Sequence, residues 1–493
     1  MTEPIRAAAV DLGAESGRVV LGAFDGERLT VREVHRFPNA PLRLPTGLHW
    51  NLPGLYQSIL EGLRRAARED GSPVRSVGVD TWGVDFALVD RTGALIGLPF
   101  HYRDARTGGM VAVAEAAVGR EEIFRRTGIQ FMEINTLYQL LAMTRGGAPA
   151  LQAADRLLMI PDLLHYWLTG SMANEWTNAT TTQCVSVETG TWDRDLLGRL
   201  GIPTHFLPDL CPPGTDLGPL APAVAEETGC GEARVVVPAT HDTASAVAAV
   251  PGEGEHVAYV SSGTWSLVGV VASRPAVTEA ALRINVTNEG GLGGSYRVLK
   301  NVMGLWLVQQ IQRALARGGE EYTYEALTRL AGEAAGAPAL FDPDDPAFLR
   351  PGDMPARIRE ACQRTGQAAP ETVGGMVRST LVSLACKYRW VLDRLEELLG
   401  RRLTAVHVVG GGSRNSLLCR LTADITGRTV WAGPAEATAI GNLLVQLTAL
   451  GHLGSPADYP AVVRSSFPPQ AYEPGGGEAA EETYRRWREV TGL

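Results

Sequence analysis

The stretch from Val235 to Val271 reads VVVPATHDTASAVAAVPGEGEHVAYVSSGTWSLVGVV, and the reading of its two halves decides the fold. The run VVVPAT is β-branched and apolar, the pattern of a buried strand, and it stops at the polar triplet His241-Asp242-Thr243. The small residues of ASAVAAV then suit a closely packed helix. Asp242 therefore stands between strand and helix, near the positive end of a helix dipole and at the strand end where α/β sheets take their ligands. Two roles are open to a carboxylate there. It can cap the helix, as Asp before an apolar helix commonly does, or it can face a crevice as an ionised base.

The second half, HVAYVSSGTWSLVGVV, repeats the layout of the N-terminal AAAVDLGAESGRVVLGAFDG. Each is an apolar run, a Gly-containing turn and a second apolar run, the pattern of a β-hairpin with a glycine-rich bend. Such bends expose backbone N–H groups that can cradle phosphate oxygens together with Ser, Thr and Arg side chains. One such turn is most often a plain hairpin. Two at corresponding places predict a duplicated fold whose halves close on one nucleotide.

A chain of 493 residues exceeds one core and leaves room for two large lobes. A formal net charge of −9 argues against nucleic acid or an anionic membrane as the main partner. No long apolar run appears and MTEPIRAAAV lacks the regions of a signal peptide, so a soluble, cytoplasmic protein is expected. Six scattered cysteines without a CxxC pair suggest neither zinc nor disulfides. Of 45 basic residues only Lys300 and Lys387 are lysine, which marks them as places where a guanidinium will not serve.

Leu52 to Arg68 carries Leu55, Ile59, Leu60 and Leu63 at helical spacing. In RSVGVDTWGVDFALVD the polar DTWG falls at a strand end, where Trp82 serves as core or as a sugar platform and Gly83 allows close backbone approach. HYRDART brings Arg103, Asp104 and Arg106 together, as a polyol-binding cluster or as a solvated loop. Residues 121 to 229 read as an inserted helical and looped subdomain, and PGEGE at Pro251 to Glu255 as the hinge between lobes. A helix is expected to start near Asn301, with Asn301 capping it or facing the cleft. After the strand AVHVV, the run Gly410-Gly411-Gly412 would let backbone lie flat against a base or ribose, without the GxGxxG spacing of a dinucleotide fold.

Phosphoryl transfer needs phosphate-cradling loops, a magnesium ion and a carboxylate to take the proton of the accepting hydroxyl. Asp11 at the end of the first strand is the candidate for Mg2+, through water. The AESGR bend with Arg18 and the SSGT bend with Thr264 are candidates for the phosphates, and Asp242 for the base. A free Asp has a pKa near 4 and must act as the proton leaves, in a closed, water-poor cleft.

Taken together, VDLGAESGR, GVDTWGVDF, YRDART, NATTTQ, ATHDTASAV, SSGTWSLVG, LKNVMGLW and VVGGGSRN resemble, in their order, the rhamnulokinases of the FGGY group of carbohydrate kinases. The resemblance runs from about Ala8 to about Leu450. It departs from the wider group in having no Phe-Gly-Gly-Tyr tetrapeptide and in carrying AESGR where relatives often show a Gly-Thr pair. It implies an α/β fold of two ribonuclease-H-like lobes, of the actin, Hsp70 and hexokinase type, with ATP in the cleft between them. Residues 1–250 would form the lobe that binds sugar and carries the first phosphate hairpin, and 251–493 the nucleotide lobe. Ala14, Glu15, Ser16, Gly17, Arg18, Thr264, Gln309 and Gly411 or Gly412 would meet ATP. Gly83, His241, Asp242, Thr243 and Asn301 would meet the sugar, with Asp242 as proton acceptor. The implied reaction is transfer of the γ-phosphoryl of ATP to the 1-hydroxyl of L-rhamnulose.

Two other classes fit parts of the pattern. An actin- or Hsp70-type ATPase with a protein partner has no use for HDT beside a DTWG wall. A glycosidase with Asp80 and Asp242 as paired carboxylates leaves the repeated hairpins without a purpose.

Overall fold

The computed structural model describes residues 3–252 and 254–493. By its internal packing the chain parts into two units, one of Met1–Pro251, Val271–Val298 and Ala437–Phe467, the other of Gly252–Val270, Leu299–Glu436 and Pro468–Leu493. The change at Pro251 falls at the start of the expected hinge, of which Glu253 lies outside the described residues. No described helix is long and apolar enough to cross a membrane.

The sheet of unit 1 has strands β1 (Ile5–Leu12), β2 (Ser16–Phe24), β3 (Leu29–Pro38), β4 (Val74–Thr81), β5 (Asp216–Pro219) and β6 (Arg234–Val236), in the order β5-β6-β4-β1-β2-β3. β2 runs antiparallel to both β1 and β3, while β4 lies parallel to β1 and β6 parallel to β4. β1 and β4 are covered on both faces, which is why they read as continuous apolar runs while the edge strand β3 is polar and partly exposed. Helix α1 (Leu52–Arg68) covers one face. It starts where the Asn51 side chain accepts from the Gly54 N–H, ends with Arg65 and Arg68 in its last turn, and buries Leu55, Ile59 and Leu63. Each such side chain contributes on the order of 1.5–3 kcal/mol of transfer free energy.

The second sheet contains β7 (Val257–Ser262), β8 (Trp265–Ala272), β9 (Thr287–Gly290), β10 (Tyr296–Met303), β11 (Ala405–Val409), β12 (Thr429–Ala432) and β13 (Gln470–Tyr472). Its order is β9-β10-β8-β7-β11-β12-β13. β7 and β8 form the antiparallel hairpin, and β11 and β12 follow β7 in parallel. The run β10-β8-β7-β11-β12 thus matches β3-β2-β1-β4-β6, the duplication that the repeated turns predict. Both lobes are α/β, as expected. The chain passes between units inside β8 and again inside β10, so Val271–Val298, with β9, packs with unit 1.

Five further helices matter for the site. In unit 1, α2 (Asp242–Ala248) packs on α6 (Ala437–Ala449), where a side chain on Gly441 would strike the Ser245 carbonyl. In unit 2 lie α3 (Trp306–Arg317) and the core helix α4 (Val373–Leu399), and α5 (Ser416–Thr426) follows β11. The helix expected near Asn301 begins instead at Trp306, because β10 continues as strand through Asn301 to Met303. Asn301 is therefore a half-buried strand residue and not a cap.

Candidate active site

Strand register assembles the charged centre of unit 1. Asp11 pairs across the antiparallel ladder with Arg18 and across the parallel ladder with Asp80, and Thr81 bridges to His241. Arg18 Nε and Nη2 lie 2.9 and 2.6 Å from Asp11 Oδ2, so the arginine expected to grip phosphate is committed to the carboxylate expected to face magnesium. The turn between them is tied down by the Gly13 N–H, which donates to the Ser16 carbonyl, and by Asn39, whose backbone N–H donates to the Glu15 carbonyl and whose side-chain amide donates to the Gly13 carbonyl.

Asp80 is fully buried. Asn442 of α6 donates to its Oδ2 at 2.5 Å, and its Oδ1 has no hydrogen-bond partner. Burial, and then the charge of Asp11, push its carboxyl well above the usual range. A fully buried Asp80 also disposes of the glycosidase pairing, which needs both carboxyls at the sugar ring.

Asp242 is the first residue of α2, whose N-cap position falls to His241, and its side chain is 29% exposed. Its Oδ1 accepts from Thr243 Oγ1 at 3.1 Å and lies 3.5 Å from His241 Nε2. The N-cap position, the commoner place for such an Asp, belongs to His241. Burial raises the Asp242 carboxyl above the ordinary Asp value, His241 pulls it down and Asp11 pushes it further up. His241 is buried and meets Glu289 and Arg297 on its other side. Glu175, itself buried, holds the approach to this triplet by accepting from the Thr240 N–H and hydroxyl.

Gly83 is required by packing, since a Cβ there would stand 2.8 Å from Thr181 Oγ1. Trp82 is core: it stacks 3.9 Å from Trp50, and both indoles donate to the buried Asp85. Burial raises the Asp85 carboxyl to about 6 against the hydrogen bonds of Gln139 and the two indoles. In the HYRDART cluster Asp104 accepts from the Leu48 and Arg106 N–H groups, and Arg106 lies 3.8 Å over Phe100 and bonds Gln139. These charges brace the loop behind the DTWG wall.

In unit 2 the SSGT turn is held from below. The Thr264 carbonyl accepts from the Gly304 and Trp306 N–H groups and the Gly263 carbonyl from Leu305. Gln309 Nε2 stands 3.5 Å from Thr264 Oγ1, and Gln309 Oε1 is buried without a partner. The glycine loop separates two roles: Gly411 faces open space, whereas a Cβ on Gly412 would come within 2.0 Å of Ser262 Oγ. Both lysines of the chain are buried in this unit. Lys387 pairs with Asp342 and Asp344 at 2.9 and 3.2 Å, and burial lowers Lys300 to about 8.

Sequence reasoning passed over Glu289, Arg297, Asn442 and Gln446. The last two carry polar groups on the otherwise apolar inner side of α6, where Gln446 bonds Ala8, Ser76 and Asn442. That break in an apolar helix face was the available signal.

Residues 7–249 match the model of the N-terminal domain of the FGGY family of carbohydrate kinases, and residues 258–450 that of its C-terminal domain. The chain belongs to the FGGY family of carbohydrate kinases. This kinase is 41% identical over 476 residues to a rhamnulokinase of Bacteroides thetaiotaomicron, covering 97% of both chains. It is 42% identical over 490 residues to a rhamnulokinase of Pectobacterium carotovorum, covering 98% of this chain and 96% of that one. Its fold is that of a gluconate kinase from Lactobacillus acidophilus, with a TM-score of 0.79 at 15% identity over 99% of this chain and 97% of that one. It is also that of a xylulose kinase from Rhodospirillum rubrum, with a TM-score of 0.77 at 20% identity over 98% of each.

Proposed function

We propose that this carbohydrate kinase transfers the γ-phosphoryl of ATP to the 1-hydroxyl of L-rhamnulose. The reading rests on 41–43% identity, over at least 93% of the chain, to proteins named rhamnulokinase. In it Asp242 accepts the proton of the attacking hydroxyl, with the raised affinity that burial gives its carboxyl matched to that task. The oxygen attacks the γ-phosphorus in line, the bond to the β,γ-bridging oxygen breaks, and its electron pair leaves with ADP. Gly83, His241, Thr243 and Asn301 hold the sugar in this scheme, and Ala14 to Arg18, Thr264, Gln309, Gly411 and Gly412 the nucleotide.

The residues present fit a divalent cation. Asp11 at the end of β1 is the carboxylate for it, with Asp80 beside it in the parallel ladder and the buried Asp80 Oδ1 without a partner. No described group of three or more His, Cys, Asp or Glu forms a metal cage, so Asp11 would hold a largely hydrated Mg2+, the mode that this ion favours. When bound it offsets charge on the phosphates.

A coupled assay of ADP release over L-rhamnulose, L-fuculose, D-fructose, D-xylulose, glycerol and gluconate tests the assignment. L-Rhamnulose is expected to give the highest kcat/KM. Preference for gluconate or xylulose, or ATP hydrolysis indifferent to added ketose, would remove it.

A further inference from the structure

The His241 imidazole has charged groups on both sides, and the chemistry of one fixes where its proton lies. Arg297, wholly buried in β10, brings Nη2 to 3.1 Å from His241 Nδ1, while its Nε donates to the Gly290 carbonyl at 2.9 Å. A guanidinium keeps its charge and offers only donors. Arg297 must therefore donate, Nδ1 must present its lone pair, and the single proton of the neutral ring stands on Nε2. Nε2 is the nitrogen that faces Asp242. Glu289 Oε2 lies 3.2 Å from Nδ1 and 3.2 Å from Arg297 Nη2, where it balances the buried guanidinium. All four residues lie in unit 1, two of them on the segment Val271–Val298 that returns to it.

We propose that Arg297 is a positioning residue for phosphoryl transfer. By donating to Nδ1 it sets His241 as the Nε2–H tautomer, whose N–H orients the Asp242 carboxylate and keeps it ionised until the sugar proton arrives. This inference rests on the reading of Asp242 as the base. The competing arrangement is Nδ1–H donated to Glu289, which turns a lone pair of Nε2 against the carboxylate. Arg297 excludes it while present. The other charged groups around the pair are Asp11 and Asp80 on the Asp242 side, with Arg18 against Asp11 and Glu175 behind Thr240.

Two measurements test this. Nitrogen NMR of protein carrying 15N-histidine, with His241 assigned among the nine histidines by His241→Gln, should show the Nε2–H tautomer at pH 7–8, and Glu289→Gln should retain it. A Nδ1–H tautomer or an imidazolium in the parent overturns the proposal, whatever Asp242→Asn does to turnover. In the kinetics, Arg297→Met should lower kcat about 10- to 100-fold, within the reach of general-base catalysis, with little change in the KM for sugar. Adding Glu289→Gln to Arg297→Met should restore most of it, because the new carboxamide donates to Nδ1. A merely structural Arg297 predicts no such rescue, and its absence overturns the proposal. If Arg297→Met does not fold, the parent tautomer decides.

Discussion

The hairpin of β1 and β2 carries Arg18 just past its turn, with the guanidinium committed to Asp11, whereas the matching turn after β7 carries no charge and is held by backbone bonds from Gly304, Leu305 and Trp306. The scaffold around the two turns is alike: an antiparallel hairpin in register with a parallel neighbour, Asp80 beside Asp11 in one unit and Val409 beside Ser261 in the other. Duplication has therefore copied the backbone and left the side chains free to diverge. In unit 1 the strand ends gather carboxyls and the groups that tune them. In unit 2 they offer neutral donors and a glycine loop seated on Ser262. A common fold can thus carry a cluster of charges at one hairpin and neutral groups at the other, and each can be broken separately.

The largest effect is expected on the charged side. Asp242→Asn keeps the shape and the Thr243 contact but removes the proton acceptor, so kcat should fall by roughly 10² to 10⁴, about 3 to 5 kcal/mol of barrier, with KM for ATP and sugar within a few-fold. In the parent, the raised Asp242 pKa means that the carboxylate is lost as pH falls through a value above the ordinary 3.8. The acid limb of kcat/KM should accordingly lie higher than a free Asp would place it. Turnover of Asp242→Asn within a few-fold of the parent at every pH would falsify the assignment.

On the neutral side a smaller and more selective loss is expected. Thr264→Val keeps the β-branched shape and the carbonyl that anchors Gly304 and Trp306, but deletes the hydroxyl beside Gln309. Loss of one hydrogen bond to a charged oxygen should raise the KM for ATP about 10-fold and leave that for the sugar unchanged. Equal losses for both substrates, measured by initial rates, would show instead that the turn had come apart, and would remove Thr264 from the proposed nucleotide contacts.

Both hairpins, the α1 helix and the strand-to-helix junction at Asp242 were legible because each is written in contiguous residues. The partners of Asp242 and Asp80 were not, since Arg297 reaches His241 across 56 positions and Asn442 reaches Asp80 across 362. No local pattern carries such pairings. The same limit explains the helix expected at Asn301: LKNVMGLW contains both a strand and a helix start, and it is the place of β10 next to β8 in the sheet that carries the strand on to Met303. Trp82 shows the converse case, where core and platform are alike in sequence and only the Trp50 stack and the Asp85 bond decide.

The smallest effect tests whether the charge gathered in unit 1 is held at a cost to the fold. Asp80 has a folded pKa raised well above 3.8, first by burial and then by Asp11, so its contribution to stability is fully present below the unfolded pKa and is lost as pH rises through the folded one. Asp80→Asn removes the charge and leaves an oxygen to accept from Asn442. Its new amide would stand where Oδ1 is already unpartnered, so little hydrogen bonding is forfeited. Measured without magnesium or nucleotide, the melting temperature should exceed the parent's by roughly a degree or two once pH has risen through the folded Asp80 pKa, the shift that on the order of 1 kcal/mol makes in a large chain. Near pH 4, where the parent Asp80 is already protonated, the two proteins should melt together. A variant less stable than the parent across the range above the folded Asp80 pKa would mean that the Asp80 charge is offset within the fold, and the charges gathered in unit 1 would then be held without the cost that sets its strand ends apart from the neutral ones of unit 2.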